Sequence, residues 1–278
     1  MRKAFQEVDK ALLGFGGRLY PADMKIEVAG ADVPDIRAWS NINEDDVTSI
    51  AKHIIDIITA CTRVTSTIAG KTYDVKDLYE HDKLALLIMI HSMTFADQKD
   101  NNIFVEGECD NESCGQHFDK LPIQVANLVY KIPDERYIKY IDTETGKFIV
   151  KTKSFGDIEY KPSTIGLGNA MMQWMQTFKP AFVRDNQAMF RMVQSFVTDW
   201  RLANDKYLRR LQIEQYNNLN AEALGLRTRL VDALTIELSN QLEFVCPHCG
   251  HTFHCPLSIT GGYKEMFMPV QNIDDELL

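Results

Sequence analysis

Residues 47 to 61 carry the clearest apolar pattern in the chain. Val47, Ile50, Ile54, Ile57, Ile58 and Cys61 recur at helical spacing and form one stripe. Asn43 serves as the predicted N-cap, and Glu44, Asp45 and Asp46 fill the first turn, where the helix dipole favours negative charge. Cys61 lies on the stripe, which reads as a buried, inert thiol. A second helix is expected from about residue 75 to about 95. Positions 84–90 are apolar on nearly every side, so this helix should sit at the centre of the core. His53, His81 and His91 fall on these helices without a partner motif and read as structural or solvated. Ahead of residue 43 the pattern is weak: Gly14, Gly16 and Gly17, then a strand-like stretch at 24–28, then loop around Pro34.

Beyond residue 100 the period shortens. Strands are expected at 101–105 and 125–132. From Arg136, residues alternate at period two, Thr143-Glu144-Thr145-Gly146 makes a turn, and 147–151 returns. With 157–161 this predicts an antiparallel meander. After Pro162 the pattern is helical almost to residue 242, in segments near 165–178, 183–203, 205–217 and 221–241. The chain therefore reads as α+β, mostly helical: a helical core with a small antiparallel meander and a zinc-ribbon-like pair of knuckles. Its expected segments are an N-terminal extension at 1–42, a helical segment at 43–100, a first knuckle and meander at 101–162, a helical block at 163–242, and a second knuckle and tail at 243–278.

Composition narrows the function. The 278 residues are enough for one large domain or two ordinary ones, and the net charge of −9 argues against a general binder of phosphate backbones. Lys206, Arg209, Arg210, Arg227 and Arg229 form a local basic run, the best support for a nucleic-acid module, but Asp199, Asp205, Glu214 and Glu222 are interspersed with them. The first residues show no apolar signal core, and the longest aliphatic run, at 84–90, is too short for a bilayer. A cytoplasmic, non-membrane protein is expected. In a reducing compartment six cysteines point to metal before disulfide.

Four of those cysteines come in pairs. Cys246-Pro247-His248-Cys249-Gly250 ends a strand-like approach, and Cys109 and Cys114 are followed by Gly115. The pairs overlay: Cys114 is followed by Gly115, Phe118, Leu121 and Ile123, and Cys249 by Gly250, Phe253, Leu257 and Ile259. The offset is equal through the phenylalanine and one residue longer by the leucine, a weak internal repeat. Two knuckles make one four-thiolate site, so Cys109, Cys114, Cys246 and Cys249 are the candidate ligands of a structural zinc. Four soft ligands leave no open position for a reacting water. His117, His254 or Cys255 replacing one ligand is a variant, and thiols that are merely buried are the plain alternative. Cys-Pro-His-Cys also matches a thiol-oxidoreductase pattern, but that chemistry needs the first thiol at a helix N-terminus and a βαβ unit ahead of it. Zinc deaminase chemistry needs His-x-Glu with Pro-Cys-x-x-Cys, which the chain lacks. There is no Walker A loop, Gly-x-Ser-x-Gly elbow or His-Glu-x-x-His, and Gly166-x-Gly168 lacks the third glycine of a dinucleotide fingerprint. No catalytic residue is assigned, and no enzyme is expected.

The layout of helices, a first cysteine pair, a meander ending in Lys161-Pro162-Ser163-Thr164, a helical block and a Cys-Pro-x-Cys-Gly-His-x-Phe knuckle resembles the baseplate hub subunit and hub-assembly proteins of T4-like tailed bacteriophages. The likeness covers most of the chain in layout and is specific chiefly at 244–253 and in the 256–269 tail; the first 40 or so residues lie outside it. The resemblance implies a late viral protein of the host cytoplasm that helps assemble the tail baseplate hub. It would be a structural subunit or a chaperone for the hub and tape-measure proteins, with a place in the virion baseplate as one outcome. Met171, Met172, Trp174, Met175 and Phe178 are soft, adaptable side chains that serve either as core or as a protein-binding groove. Together with Tyr263, Met266 and Phe267 in the tail they are the candidate partner surface.

Overall fold

The computed structural model describes residues 3–96, 102–218 and 220–267. The expected start of the strand at residue 101 lies outside these residues. So do Met268 and Pro269 of the tail and its acidic end at 274–278. The chain forms a mixed α+β fold with four small antiparallel sheets among the described residues. The first holds β1 (Gln6–Glu7), β2 (Met24–Val28) and β3 (Thr62–Ser66), with β2 in the middle. Met24, Ile26 and Val28 alternate inward along β2, the pattern of a half-buried strand. Helix α1 (Val33–Trp39) follows, closed at its start by a capping box between Asp32 and Asp35.

Helix α2 (Val47–Cys61) begins three residues later than the acidic run implied. Asp46 is its cap, accepting the Thr48 N–H, while Asn43 accepts the Asp45 N–H in the turn before it. Helix α3 (Lys83–Thr94) also starts late. The stretch expected as its first turns is instead two short 3₁₀ turns, Val75–Asp77 and Glu80–Asp82. The backbone between them pairs with a distant segment: Glu80 N–H donates to Ser163 C=O at 2.9 Å, and Ile165 N–H to Leu78 C=O at 2.8 Å. Within α3, Leu84, Ala85, Leu86, Leu87, Ile88 and Ile90 are buried, as an all-round apolar helix must be.

Strands β4 (Phe104–Glu108) and β5 (His117–Pro122) form a hairpin, and β6 (Leu128–Lys131) follows. The meander is β7 (Ile141–Asp142), β8 (Lys147–Thr152) and β9 (Gly156–Tyr160). Its first part differs from expectation: Glu135–Tyr140 is a 3₁₀ helix, because Asp134 caps it by accepting the Arg136 N–H. Gly146 makes the turn at φ +67, where an added Cβ would lie 2.2 Å from the Leu19 carbonyl oxygen.

The helical block contains α4 (Ile165–Met175), α5 (Pro180–Asp185), α6 (Gln187–Ser195), α7 (Asp205–Leu211) and α8 (Ala221–Leu234), with a π turn at Gln212–Tyr216. Residues 237–241, expected as the end of the last helix, belong to strand β10 (Glu237–Val245). β10 pairs with β6 on one side and β11 (Thr252–Pro256) on the other, and these long-range partners override the local helical pattern. A single helical turn, α9 (Gly262–Glu265), follows.

Two hydrophobic clusters result. The larger draws buried residues from Val8 to Phe267, and the smaller lies wholly between Leu167 and Leu211. Among the described residues, no helix is long and apolar enough to cross a membrane.

Candidate metal centre

The two cysteine pairs sit at the tips of two hairpins, β4–β5 and β10–β11, and each tip is built the same way. The first thiol's residue donates its N–H across the tip to the carbonyl two positions after the second thiol. Cys109 reaches Gln116 at 2.9 Å, and Cys246 reaches His251 at 2.8 Å. The glycine after the second thiol turns back on itself. Gly115 N–H donates to Asn111 C=O at 3.0 Å and Gly250 N–H to Cys246 C=O at 2.8 Å. Both glycines have positive φ, +53 and +71, which a side chain would strain. The repeat read in the sequence thus has a structural counterpart, and it extends to the phenylalanines. Phe118 and Phe253, at equal offsets, stack with ring centroids 5.9 Å apart, and Phe253 also stacks on Phe244 at 6.0 Å.

This stacking brings the tips together. The four Sγ atoms of Cys109, Cys114, Cys246 and Cys249 lie within 4.8 Å of one another and could hold a metal ion. Cys109 and Cys249 are 3.7 Å apart, and Cys114 and Cys246 are 3.8 Å apart, so each contact crosses from one hairpin to the other. A disulfide needs sulfurs about 2.05 Å apart, and all six thiols are free. A tetrahedron of thiolates with metal–sulfur bonds of about 2.3 Å has edges of about 3.8 Å. The donor set and its spacing fit one tetrahedral ion.

Backbone N–H groups are already aimed at the sulfurs. Burial pushes the Cys109 thiol up to about 12, partly offset by the Asn111 N–H. The Gln116 N–H favours the thiolate of Cys114, yet burial and the neighbouring thiols leave that group raised. Burial also opposes ionisation of Cys246, but N–H groups of Cys249 and His248 outweigh it and draw this thiol down to about 7. The three donors Asn111, Gln116 and His248 each lie two residues after the thiol they serve, a pattern visible only once the tips are seen folded. A polar contact spans the tips as well, from His251 Nε2 to Asp110 Oδ1 at 2.8 Å.

The other expected ligands are not in the cluster. His117 pairs with Asp119 at 3.2 Å and His254 with Glu243 at 3.4 Å. Cys255 is buried on the opposite side of β11, where an added Cβ at Gly107 would lie 3.1 Å from its own Cβ. Cys61 is buried on α2, and burial raises its thiol to about 11.

The expected partner surface is largely interior. Met171 and Trp174 are core residues of the helical block, and Met172, Met175 and Phe178 are half-buried at its edge. Met266 and Phe267 are sealed in the larger cluster, where Phe267 packs edge-on against Trp39 at 5.1 Å, and half-buried Tyr263 accepts the Trp39 Nε1–H through its carbonyl. Apolar residues next to charged ones in the sequence gave no way to tell a groove from a core. The basic run is also mostly committed. Arg209 pairs with Asp205 at 2.9 Å and Arg210 with Glu214 at 3.6 Å. Arg227 is buried, donating to Ser195 Oγ at 3.0 Å with its guanidinium 3.7 Å from the Phe196 ring centroid.

Comparison with protein-family models, curated proteins and solved structures finds no match to this chain.

Proposed function

We propose that Cys109, Cys114, Cys246 and Cys249 hold one structural zinc ion, and that the protein is a non-enzymatic binding protein whose scaffold this ion closes. The observation that carries the reading is the convergence of four thiols from two hairpins, with cross-hairpin sulfur separations of 3.7 and 3.8 Å. Zinc favours four-thiolate tetrahedral sites, and with all four positions taken by protein it supplies binding energy and no catalysis. The ligands lie up to 140 residues apart in sequence, so the ion would join hairpins that the rest of the fold brings together from distant stretches. The biological setting is the one the resemblance implies: assembly of a phage tail baseplate hub in the host cytoplasm, with hub or tape-measure proteins as partners. The contact surface left for such a partner is the edge of the helical block, where Met172, Met175 and Phe178 are half-buried beside Phe182, which is 40% exposed. Expression in medium supplying both iron and zinc tests the ion: a colourless protein carrying zinc supports the reading, and a red protein carrying iron overturns it. Affinity purification from phage-infected cells tests the setting. Recovery of tail proteins, reduced by Phe182→Asp, is expected; their absence ends the assembly reading and leaves the zinc reading untouched.

A further inference from the structure

Beside the larger hydrophobic cluster the fold leaves an open cleft of about 500 Å³. Its floor is the segment that leaves β9, from Tyr160 to Ser163, and its walls come from α6, α8 and the start of β10. Lys161 lines this cleft and also a second cavity, of about 280 Å³, beside it. Its side chain is partly buried, yet it donates no hydrogen bond and makes no ion pair among the described residues. The nearest ring, that of Tyr79, has its centroid 5.9 Å from the ammonium nitrogen. Burial lowers this amine's hold on its proton, outweighing the through-space attraction of Asp77 and Asp199.

The other two side-chain cations of the cleft are matched. Lys83 pairs with Glu80 at 3.0 Å and Arg191 with Glu237 at 3.6 Å. The cleft therefore carries one surplus positive charge, on Lys161. A withdrawn ammonium without a hydrogen-bond acceptor is unfavourable and calls for a reason. The surroundings supply one: the Gln194 amide borders the same space as a further donor, and Val231, Ile236 and Leu238 provide an apolar wall. A concavity that sets an apolar wall beside convergent polar groups can hold both ends of a small amphipathic molecule.

We propose that this cleft binds a small monocarboxylate with an apolar body, its carboxylate held by Lys161 and its body against Val231, Ile236 and Leu238. One negative charge neutralises the surplus. A phosphate dianion would bring a second charge next to Glu80 and Glu237, which face the same space.

The test is titration calorimetry on the full, metal-loaded chain with hexanoate, hexan-1-ol and inorganic phosphate as probes. Hexanoate should bind saturably, and the alcohol and phosphate should bind at least about tenfold more weakly. Lys161→Met should weaken hexanoate by about tenfold or more, and Lys161→Arg should retain most of the affinity. The ligand-free Lys161→Met protein should melt no lower than the wild type, because a desolvated ammonium without a hydrogen bond is replaced by an apolar chain of similar length. Absence of saturable hexanoate binding, equal affinity in Lys161→Met, or tighter binding of phosphate than of hexanoate would overturn the proposal. A lowered melting temperature of Lys161→Met would overturn it too, by giving the ammonium a structural role.

Discussion

The helical block and the paired hairpins solve the same problem by different means. The block gathers Leu167, Trp174, Phe190, Val193 and Leu208 from one continuous stretch and closes chiefly by apolar contact. Trp174 meets Phe190 edge-on at 5.0 Å and Phe178 at 5.5 Å. The hairpins come from opposite halves of the chain and meet at their tips through the Phe118–Phe253 stack, while Val105, Leu121, Leu242 and Phe253 are buried in the larger cluster. A lone two-stranded hairpin is marginal in water, and the tips at 109–116 and 246–251 carry little apolar surface beyond their cysteines. Their shared edge carries four thiols instead. Where contacts are local and apolar, packing suffices; where they are distant and few, the chain places ligands. The larger cluster also contains a buried acid: Asp82 accepts the Gly14 N–H at 2.6 Å and the Tyr20 O–H at 2.7 Å.

Removing a ligand should break this contrast most sharply. Structural zinc in small domains is worth about 10–16 kcal/mol, more than any single packing defect. Cys246→Ser should lose the ion and unfold the hairpins, read as lost hydrogen-exchange protection in β4, β5, β10 and β11 while α4 and α6 stay protected. Protection lost equally in the block would show that the two regions are not separable.

The converse substitution acts on the block. Trp174→Ala should destabilise the protein by about 3–5 kcal/mol in chemical denaturation, with metal content unchanged. Loss of metal in this variant would couple the regions directly.

The buried acid sharpens the comparison through pH. Burial raises the Asp82 carboxyl to about 7 from its unfolded value of 3.8, so the folded state holds the proton longer. Stability from this group therefore falls as pH rises from about 4 to 7. Burial moves His81 to about 3 and His91 to about 4, below the unfolded 6.5, so their contribution has the opposite slope and rises with pH over about 3 to 6.5. The difference between Asp82→Asn and the wild type isolates the carboxyl. It should shift in favour of the variant by up to about 4 kcal/mol between pH 4 and 7. A difference that does not change with pH would remove Asp82 from the account.

The smallest expected effect concerns the likeness of the two tips. Gly115 and Gly250 have positive φ and nothing within 4 Å of an added Cβ, so alanine at either meets only backbone strain. Each substitution should cost about 1–2 kcal/mol, and the two values should agree. Unequal costs would mean that the tips are alike in sequence but not in mechanics.

The candidate site was more legible than the fold around it, for a physical reason. A thiolate site is written in residue identity and spacing, so Cys109, Cys114, Cys246 and Cys249, with the glycine and phenylalanine after each pair, could be overlaid directly. Helices α2 and α3 were legible from their apolar stripes except at their starts. There Asp46 displaced Asn43 as cap, and the backbone near Leu78 and Glu80 paired with the segment at 163–165. Residues 237–241 read as helix because nothing local announces that β6 and β11 flank them. Burial of Met171, Trp174, Met266 and Phe267 depends in the same way on which distant surface arrives. Lys161 stood in the sequence only as the end of the meander, and its lack of a hydrogen bond emerges only when its surroundings are assembled.

The central claim is that one ion is shared by both hairpins. Native mass spectrometry of the wild type, of a Cys109→Ser, Cys114→Ser double variant and of a Cys246→Ser, Cys249→Ser double variant tests it directly. The account predicts one zinc per wild-type chain and none in either double variant. An ion retained in full by either double variant, or two ions in the wild type, would contradict it.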